Sequence, residues 1–181
     1  MRPLYEIQME LWNNSIQRYV TQELFSFAWF FNLGFVAIFY VIWVKVVDKQ
    51  RLKELLLFGS FVAVCAGFID MAGITIGLWE YKIRLFPVST PLFPLDYTAI
   101  PILYMLVLQY TMSWRNYLIG SLLASAFISY VIYPIYVLIG IKQYHHFKHF
   151  YMFILIFVAT TIIKVIYNWI TAIEYRNSEI K

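Results

Sequence analysis

The chain has 181 residues, 62% hydrophobic, 20% aromatic and only 13% charged, with a mean hydropathy of +0.69. Soluble domains run nearer half apolar and a quarter charged, so this composition argues against a water-soluble core and points to the bilayer as solvent. The net charge of +4 comes from scattered Lys and Arg residues without a basic stripe or a recognition motif, which argues against nucleic acid as a partner.

Residues 1–23 precede the first long apolar run. In a helix, Leu4, Ile7, Leu11 and Trp12 would share one face, the pattern of an interfacial helix; a mobile tail is the competing reading. Glu6, Glu10, Asn13 and Asn14 break a cleavable signal pattern. A span needs about 20 apolar residues. Five membrane-spanning helices are therefore predicted, at about 24–47, 55–79, 97–112, 117–140 and 150–172, forming one all-α integral membrane domain over 1–181. The third is the shortest, with Pro101 in its first turn, where the missing amide costs little. Pro134 lies inside the fourth and is expected to kink it. The lone Cys65 reads as a buried, inert thiol.

The second predicted span carries Gly59, Ala63, Ala66, Gly67, Asp70, Gly73 and Gly77 within an arc of roughly 120°. Small residues four apart let helix backbones approach closely, so this face is expected to meet another helix. Asp70 sits in that stripe. A carboxylate in a span costs roughly 2.5–3.5 kcal/mol on insertion scales and marks a site to be explained. Asn32 lies at a similar depth, both roughly 5 Å from the midplane at 1.5 Å per residue, and is the expected partner. Lys164 is the other candidate, roughly 9 Å away along the membrane normal. Thr160, Thr161, Lys164, Asn168 and Thr171 form a polar stripe on the fifth span, answered by Ser121, Ser125 and Ser129 on the fourth. Interhelical hydrogen bonding explains these residues, and a polar groove around Lys164 is the functional alternative.

The loop at 80–96 is the richest in chemistry. Glu80 and Asp96 flank it, and paired carboxyls in different environments can divide acid and base roles, making them the candidate catalytic pair. Trp79, Tyr81, Phe86, Phe93 and Tyr97 surround them; an interfacial aromatic belt with ordinary acids paired to Lys82 or Arg84 is the leading account, and aromatic faces that stabilise a cation are the functional alternative. Trp79, Tyr81, Tyr97, Asp70, Asn32 and Lys164 are the candidate ligand-binding residues. Four of the six prolines fall between Pro87 and Pro101, which predicts a stiff loop able to dip back toward the membrane. His145, His146 and His149 precede the fifth span; His145 and His149 would share a helical face, half of a metal site at most. No cofactor motif, phosphate loop, nucleophile elbow or CxxC is present.

At Gly77-Leu78-Trp79-Glu80-Tyr81 and Phe93-Pro94-Leu95-Asp96-Tyr97 the chain resembles a family of small multi-pass membrane proteins from spore-forming Gram-positive bacteria, one with no assigned activity. Asp70, Trp79, and Pro94 with Asp96 also give a fainter resemblance to the membrane lycopene cyclases. In those enzymes the proline precedes two glutamates; here Leu95 separates Pro94 from Asp96. The first resemblance implies a bacterial plasma-membrane protein, the second acid-assisted carbocation chemistry on an isoprenoid.

Lys45, Lys49, Arg51 and Lys53 cluster beside the first span, and the predicted sides carry seven basic residues against six. The local cluster places the N-terminus outside and the C-terminus in the cytoplasm. The leading expectation is a non-enzymatic membrane protein, either a small-ligand binder or a component that assembles with a membrane-protein partner or a second copy. The alternatives are an isoprenoid- or carotenoid-modifying enzyme and a substrate-binding transport subunit. Besides the lipid bilayer, a hydrophobic small molecule is the expected partner.

Overall fold

The structure, a computed structural model, describes residues 3–87, 91–145 and 147–178, without the side chains at 175, 177 and 178; Arg2, His146 and Lys181 lie outside them. It is an all-α bundle with a single two-stranded ribbon among the described residues. In chain order come α1 (Leu4–Arg18), α2 (Phe27–Val46), α3 (Leu52–Thr75), β1 (Trp79–Tyr81), α4 (Ile100–Tyr110), α5 (Trp114–Phe127), α6 (Tyr133–Leu138), β2 (Lys142–Tyr144) and α7 (His149–Ser178).

The amphipathic N-terminal segment is helical. α1 runs into a wide π-helical turn, Tyr19–Glu23, and is tied down there. Glu23 is fully buried and accepts from the Arg84 amide at 2.8 Å and the Arg84 guanidinium at 2.7 Å, while the Tyr19 hydroxyl donates to the Leu85 carbonyl at 2.8 Å. α1 itself keeps Leu4, Ile7, Leu11 and Trp12 exposed.

Among the described residues, four stretches are long and apolar enough to cross a membrane: Phe27–Val46, Lys49–Thr75, Trp114–Leu138 and His149–Glu174. The expected third span is the exception. It begins at Leu95, two residues early, and ends at Tyr110; a 16-residue helix is only about 24 Å long. Its sides are covered instead, because it packs against α2, α3 and α5. Gly59 of α3 makes one of these contacts, since a Cβ there would fall 2.7 Å from Met105 Sδ. Pro101 therefore lies in the second turn of a continuous helix, behind the π-helical turn Leu95–Ala99. Pro134 repeats the arrangement behind Ile128–Ile132. A wider turn moves backbone carbonyls away from the proline ring, so the expected kink takes the form of a π-bulge.

The second span was expected to reach Trp79, but α3 stops at Thr75. Gly77 adopts φ +74°, and the Leu78 amide donates to the Gly73 carbonyl at 2.9 Å, a Schellman cap. α6 ends in the same way: Gly140 has φ +80°, and the Ile141 amide reaches the Tyr136 carbonyl at 2.9 Å. Each cap turns the chain into a strand, and the strands pair antiparallel with Trp79 opposite Tyr144 and Tyr81 opposite Lys142. Helix, glycine, strand and helix thus occur twice, in α3–β1–α4 and α6–β2–α7. The serine and threonine stripes join helices as expected: Ser121 Oγ lies 3.2 Å from Thr160 Oγ1, and the Tyr104 hydroxyl 2.6 Å from Ser125 Oγ.

Candidate functional site

Alternation along β1 turns Trp79 and Tyr81 inward and Glu80 outward. Both inward side chains return to the helix they left. Trp79 Nε1 donates to Asp70 Oδ1 at 2.9 Å, and the Tyr81 hydroxyl donates to the same oxygen at 2.5 Å. The Leu92 amide donates to Oδ2 at 3.2 Å. An acceptor of three donors is behaving as a carboxylate. Gly73 is what lets the indole lie flat on α3, since a Cβ there would overlap the ring.

The expected Asp70–Asn32 pair does not form. Equal depth along the membrane normal does not bring two side chains together, and the Gly77 cap folds the chain back so that other donors reach the carboxylate. Asn32 is buried on α2 with neither amide atom hydrogen bonded. Lys164 is also elsewhere: its ammonium sits 4.9 Å from the centre of the Tyr167 ring and 5.5 Å from that of Tyr117, with Glu54 as the favourable charge.

Glu80 and Asp96 do not act as a pair either. Glu80 is half exposed, its carboxylate 3.8 Å from His145 Nε2. Asp96 is 2% exposed, and its Oδ2 has no hydrogen-bond partner. Burial first, and the Asp70 carboxylate second, hold Asp96 well above the usual carboxylate range. The acid that shares a cavity with Asp96 is Asp70. Tyr97 points the other way, its hydroxyl against Gly67 and its ring against Phe93. His149 packs edge-on to Tyr144, and no three His, Cys, Asp or Glu side chains converge on a metal position among the described residues. The candidate half-site of His145 and His149 therefore gains no third ligand.

The residue that the sequence reading missed is Lys142. It is 1% exposed, yet its ammonium has no hydrogen-bond partner. Four aromatic rings enclose it instead, with Nζ to ring-centre distances of 3.9 Å for Tyr133, 4.7 Å for Trp79, 4.8 Å for Tyr144 and 5.3 Å for Tyr81. Cation–π attraction strengthens when the cation is desolvated. Burial pushes the amine down to about 8, against the opposing pull of Asp70 and Asp96. Two of the caging rings, Trp79 and Tyr81, are also the Asp70 donors, so anion and cation are held through the same side chains.

A signal for Lys142 was present in the chain. Gly77-Leu78-Trp79-Glu80-Tyr81 matches Gly140-Ile141-Lys142-Gln143-Tyr144 position for position in helix cap, apolar residue and terminal tyrosine. The strand register pairs the central Glu80 with Gln143, so the two motifs face one another about a local two-fold. Seven residues before each glycine stand Asp70 and Tyr133, and both line the same cavity.

That cavity has a volume of about 30 Å³, room for one or two water molecules. Asp70, Asp96, Trp79 and Tyr133 close one end, and α3 and α7 form its apolar walls through residues such as Ala66, Ile69, Ile156 and Ala159. An apolar groove follows the same α3–α7 seam, bounded by Phe68, Ile76, Phe150 and Ile154, and shares Ile69 and Trp79 with the cavity. No protein-family model, curated protein or solved structure matches this chain.

Proposed function

We propose that this protein binds a lipophilic small molecule drawn from the bilayer, its chain along the α3–α7 seam and its polar end at Asp96. The carrying observation is that an apolar groove and a cavity ending on two buried carboxyls share Ile69 and Trp79 as common wall. An acid held protonated in an apolar site offers one strong hydrogen-bond donor, which suits a neutral ligand ending in an alcohol, aldehyde or ketone oxygen. The setting proposed is a bacterial plasma membrane with the N-terminus outside, for which the basic cluster at Lys45–Lys53 is the support. A cysteine placed in the loop 48–54 should then resist impermeant maleimide added to intact cells; ready labelling reverses the orientation.

Purification in mild detergent followed by mass spectrometry of extracted small molecules tests the binding. The wild type should retain a lipophile that is lost when the seam is filled by Ala66→Phe, with the fold intact by circular dichroism. Equal content in the two proteins, or none in either, refutes it.

A second reading has one observation in its favour: Trp79 and Tyr133 line the same cavity as Asp96. Aromatic faces beside a protonated acid suit carbocation chemistry, in which Asp96 protonates an alkene of a linear polyene and the rings stabilise the cation. Asp96 replaces Glu80 as the acid in this reading, because Glu80 faces away. Conversion of a linear polyene to a cyclic isomer by the wild type and not by Asp96→Asn would establish it; unchanged substrate with both proteins would exclude it.

A further inference from the structure

A second opening lies on the face that bears α1 and the β1–β2 ribbon. It is a vestibule of about 750 Å³ between β2 and the start of α7, with Lys82, Tyr144, Lys148 and His149 around it and the otherwise buried Lys142 at its floor. Behind Lys142 lies the cavity of Asp70 and Asp96. Between the two spaces runs a series of buried polar atoms without hydrogen-bond partners: His149 Nδ1, Tyr144 Oη, Lys142 Nζ, Tyr136 Oη and Asp96 Oδ2. His149, Tyr144 and Lys142 are linked by ring contacts, and Lys142 and Tyr136 interact electrostatically with Asp96. The His149 and Tyr144 rings are 5.0 Å apart, and Lys142 Nζ is 4.8 Å from the Tyr144 ring and 3.9 Å from the ring of Tyr133, which lines the Asp96 cavity. Buried polar groups that lack protein partners are satisfied by internal water, and every member of this series exchanges protons with water.

We infer that the protein contains a hydrated proton route from its α1-bearing face to Asp96, with Lys142 as the group through which the proton passes. The charge balance of the cluster explains why a proton is stored there. Facing Asp96 are Asp70 from α3, Tyr81 from β1, Tyr133 and Tyr136 from α6, and Lys142 from β2, while Tyr144 of β2 faces Asp70. The tyrosines are neutral, so two carboxyls face one ammonium. In a poorly polarisable interior the neutral arrangement is Asp70 ionised, Lys142 protonated and one proton on Asp96. In one cycle the Lys142 ammonium releases a proton to vestibule water, and its neutral amine takes the Asp96 proton and returns another to the carboxylate. The amine then takes a proton from vestibule water, and the balance is restored. This route requires no ligand in the α3–α7 seam.

Infrared spectroscopy of the protein in lipid nanodiscs tests the inference. The protonated carboxyl band of Asp96 is identified as the one missing in Asp96→Asn, and its shift after transfer into D2O times the exchange. The wild-type band should shift within seconds. Lys142→Met fills the aromatic cage with an apolar side chain of similar length and should keep the band while slowing its shift at least tenfold. Tyr144→Phe preserves the cage ring and removes only a hydroxyl; it should also slow the shift, and it decides the matter if Lys142→Met does not fold. Absence of a band sensitive to Asp96→Asn, a wild-type band that resists exchange for hours, or wild-type exchange rates in the folded variants would each overturn the route.

Discussion

The two buried aspartates are expected to respond to the same substitution to very different degrees, because only one of them holds a network. Asp70 accepts from Trp79, Tyr81 and the Leu92 amide. Replacing it by Ala strands three buried donors at about 1–3 kcal/mol each, or about 3–9 kcal/mol in all. It also leaves the buried Lys142 ammonium without one of its two counter-charges. Such a loss rivals the whole stability of a domain of this size, so Asp70→Ala should yield no folded protein. Asp70→Asn keeps an oxygen for Trp79 and Tyr81 but turns an amide nitrogen toward the Leu92 N–H. One stranded donor and two weakened bonds should cost about 2–5 kcal/mol. Asp96→Asn strands no such set of donors: Asp96 Oδ2 has no partner, and a neutral amide of the same shape can keep the carboxyl's contacts with the Leu92 backbone and Asp70, so it should cost less than about 1 kcal/mol. Thermal unfolding in mild detergent, followed by tryptophan fluorescence, reads the difference. At about 2–4 °C per kcal/mol, Asp70→Asn should melt at least about 2 °C below Asp96→Asn. Equal melting temperatures for these two variants, or a stable Asp70→Ala, would refute the reasoning.

Gly73→Ala sets a Cβ into the Trp79 ring, and overpacking of this kind costs about 1–3 kcal/mol before the displaced indole loses its bond to Asp70. A red-shifted tryptophan emission and a lowered melting temperature are expected; wild-type values for both would show that the indole is not held as described. Glu23→Ala breaks a buried ion pair with Arg84, an event worth about 3–5 kcal/mol, and should free α1. Trypsin cleavage after Arg18 should then accelerate at least tenfold, and an unchanged rate would mean that α1 is anchored by something else. The depressed Lys142 amine carries a sign that can be checked. Its folded value of about 8 lies below the unfolded 10.5, so between those values the unfolded chain binds more protons and stability rises with pH, by up to about 1.4 kcal/mol per unit. The melting temperature of the wild type should climb from pH 8 to 9.5 relative to Lys142→Met; parallel curves would show that the amine titrates as it would in water.

Much of the architecture was legible because it follows from composition and spacing. The apolar runs of α2, α3 and α7 and the proline-marked α5–α6 helix fall close to their expected positions. The serine ladder of α5 found its threonine on α7 because residues four apart share a helix face whatever lies opposite. The glycines of α3 likewise face α4 and the returning Trp79, as a small-residue stripe requires. What misled was the length of α3. Counting hydrophobic residues carried the helix through Gly77 to Trp79, and a chain still in helix at Trp79 cannot turn back to meet Asp70. Glu80 was then paired with Asp96, although strand alternation turns Glu80 outward beside His145 while Asp96 is buried.

The chain by itself determined its solvent, its helical class and which faces are lined with small or hydroxyl side chains. These are local properties of residue type and period, and no partner needs to be known for them to operate. Only the tertiary structure decided what each buried polar group meets. Asp70 took Trp79, Tyr81 and the Leu92 amide in place of Asn32, and Lys142 entered a cage drawn from β1, α6 and β2. The physical reason is that a buried charge is satisfied by whichever groups the backbone brings within about 3–5 Å. Here two glycine caps, 63 positions apart at Gly77 and Gly140, set that approach by folding two distant strands against each other.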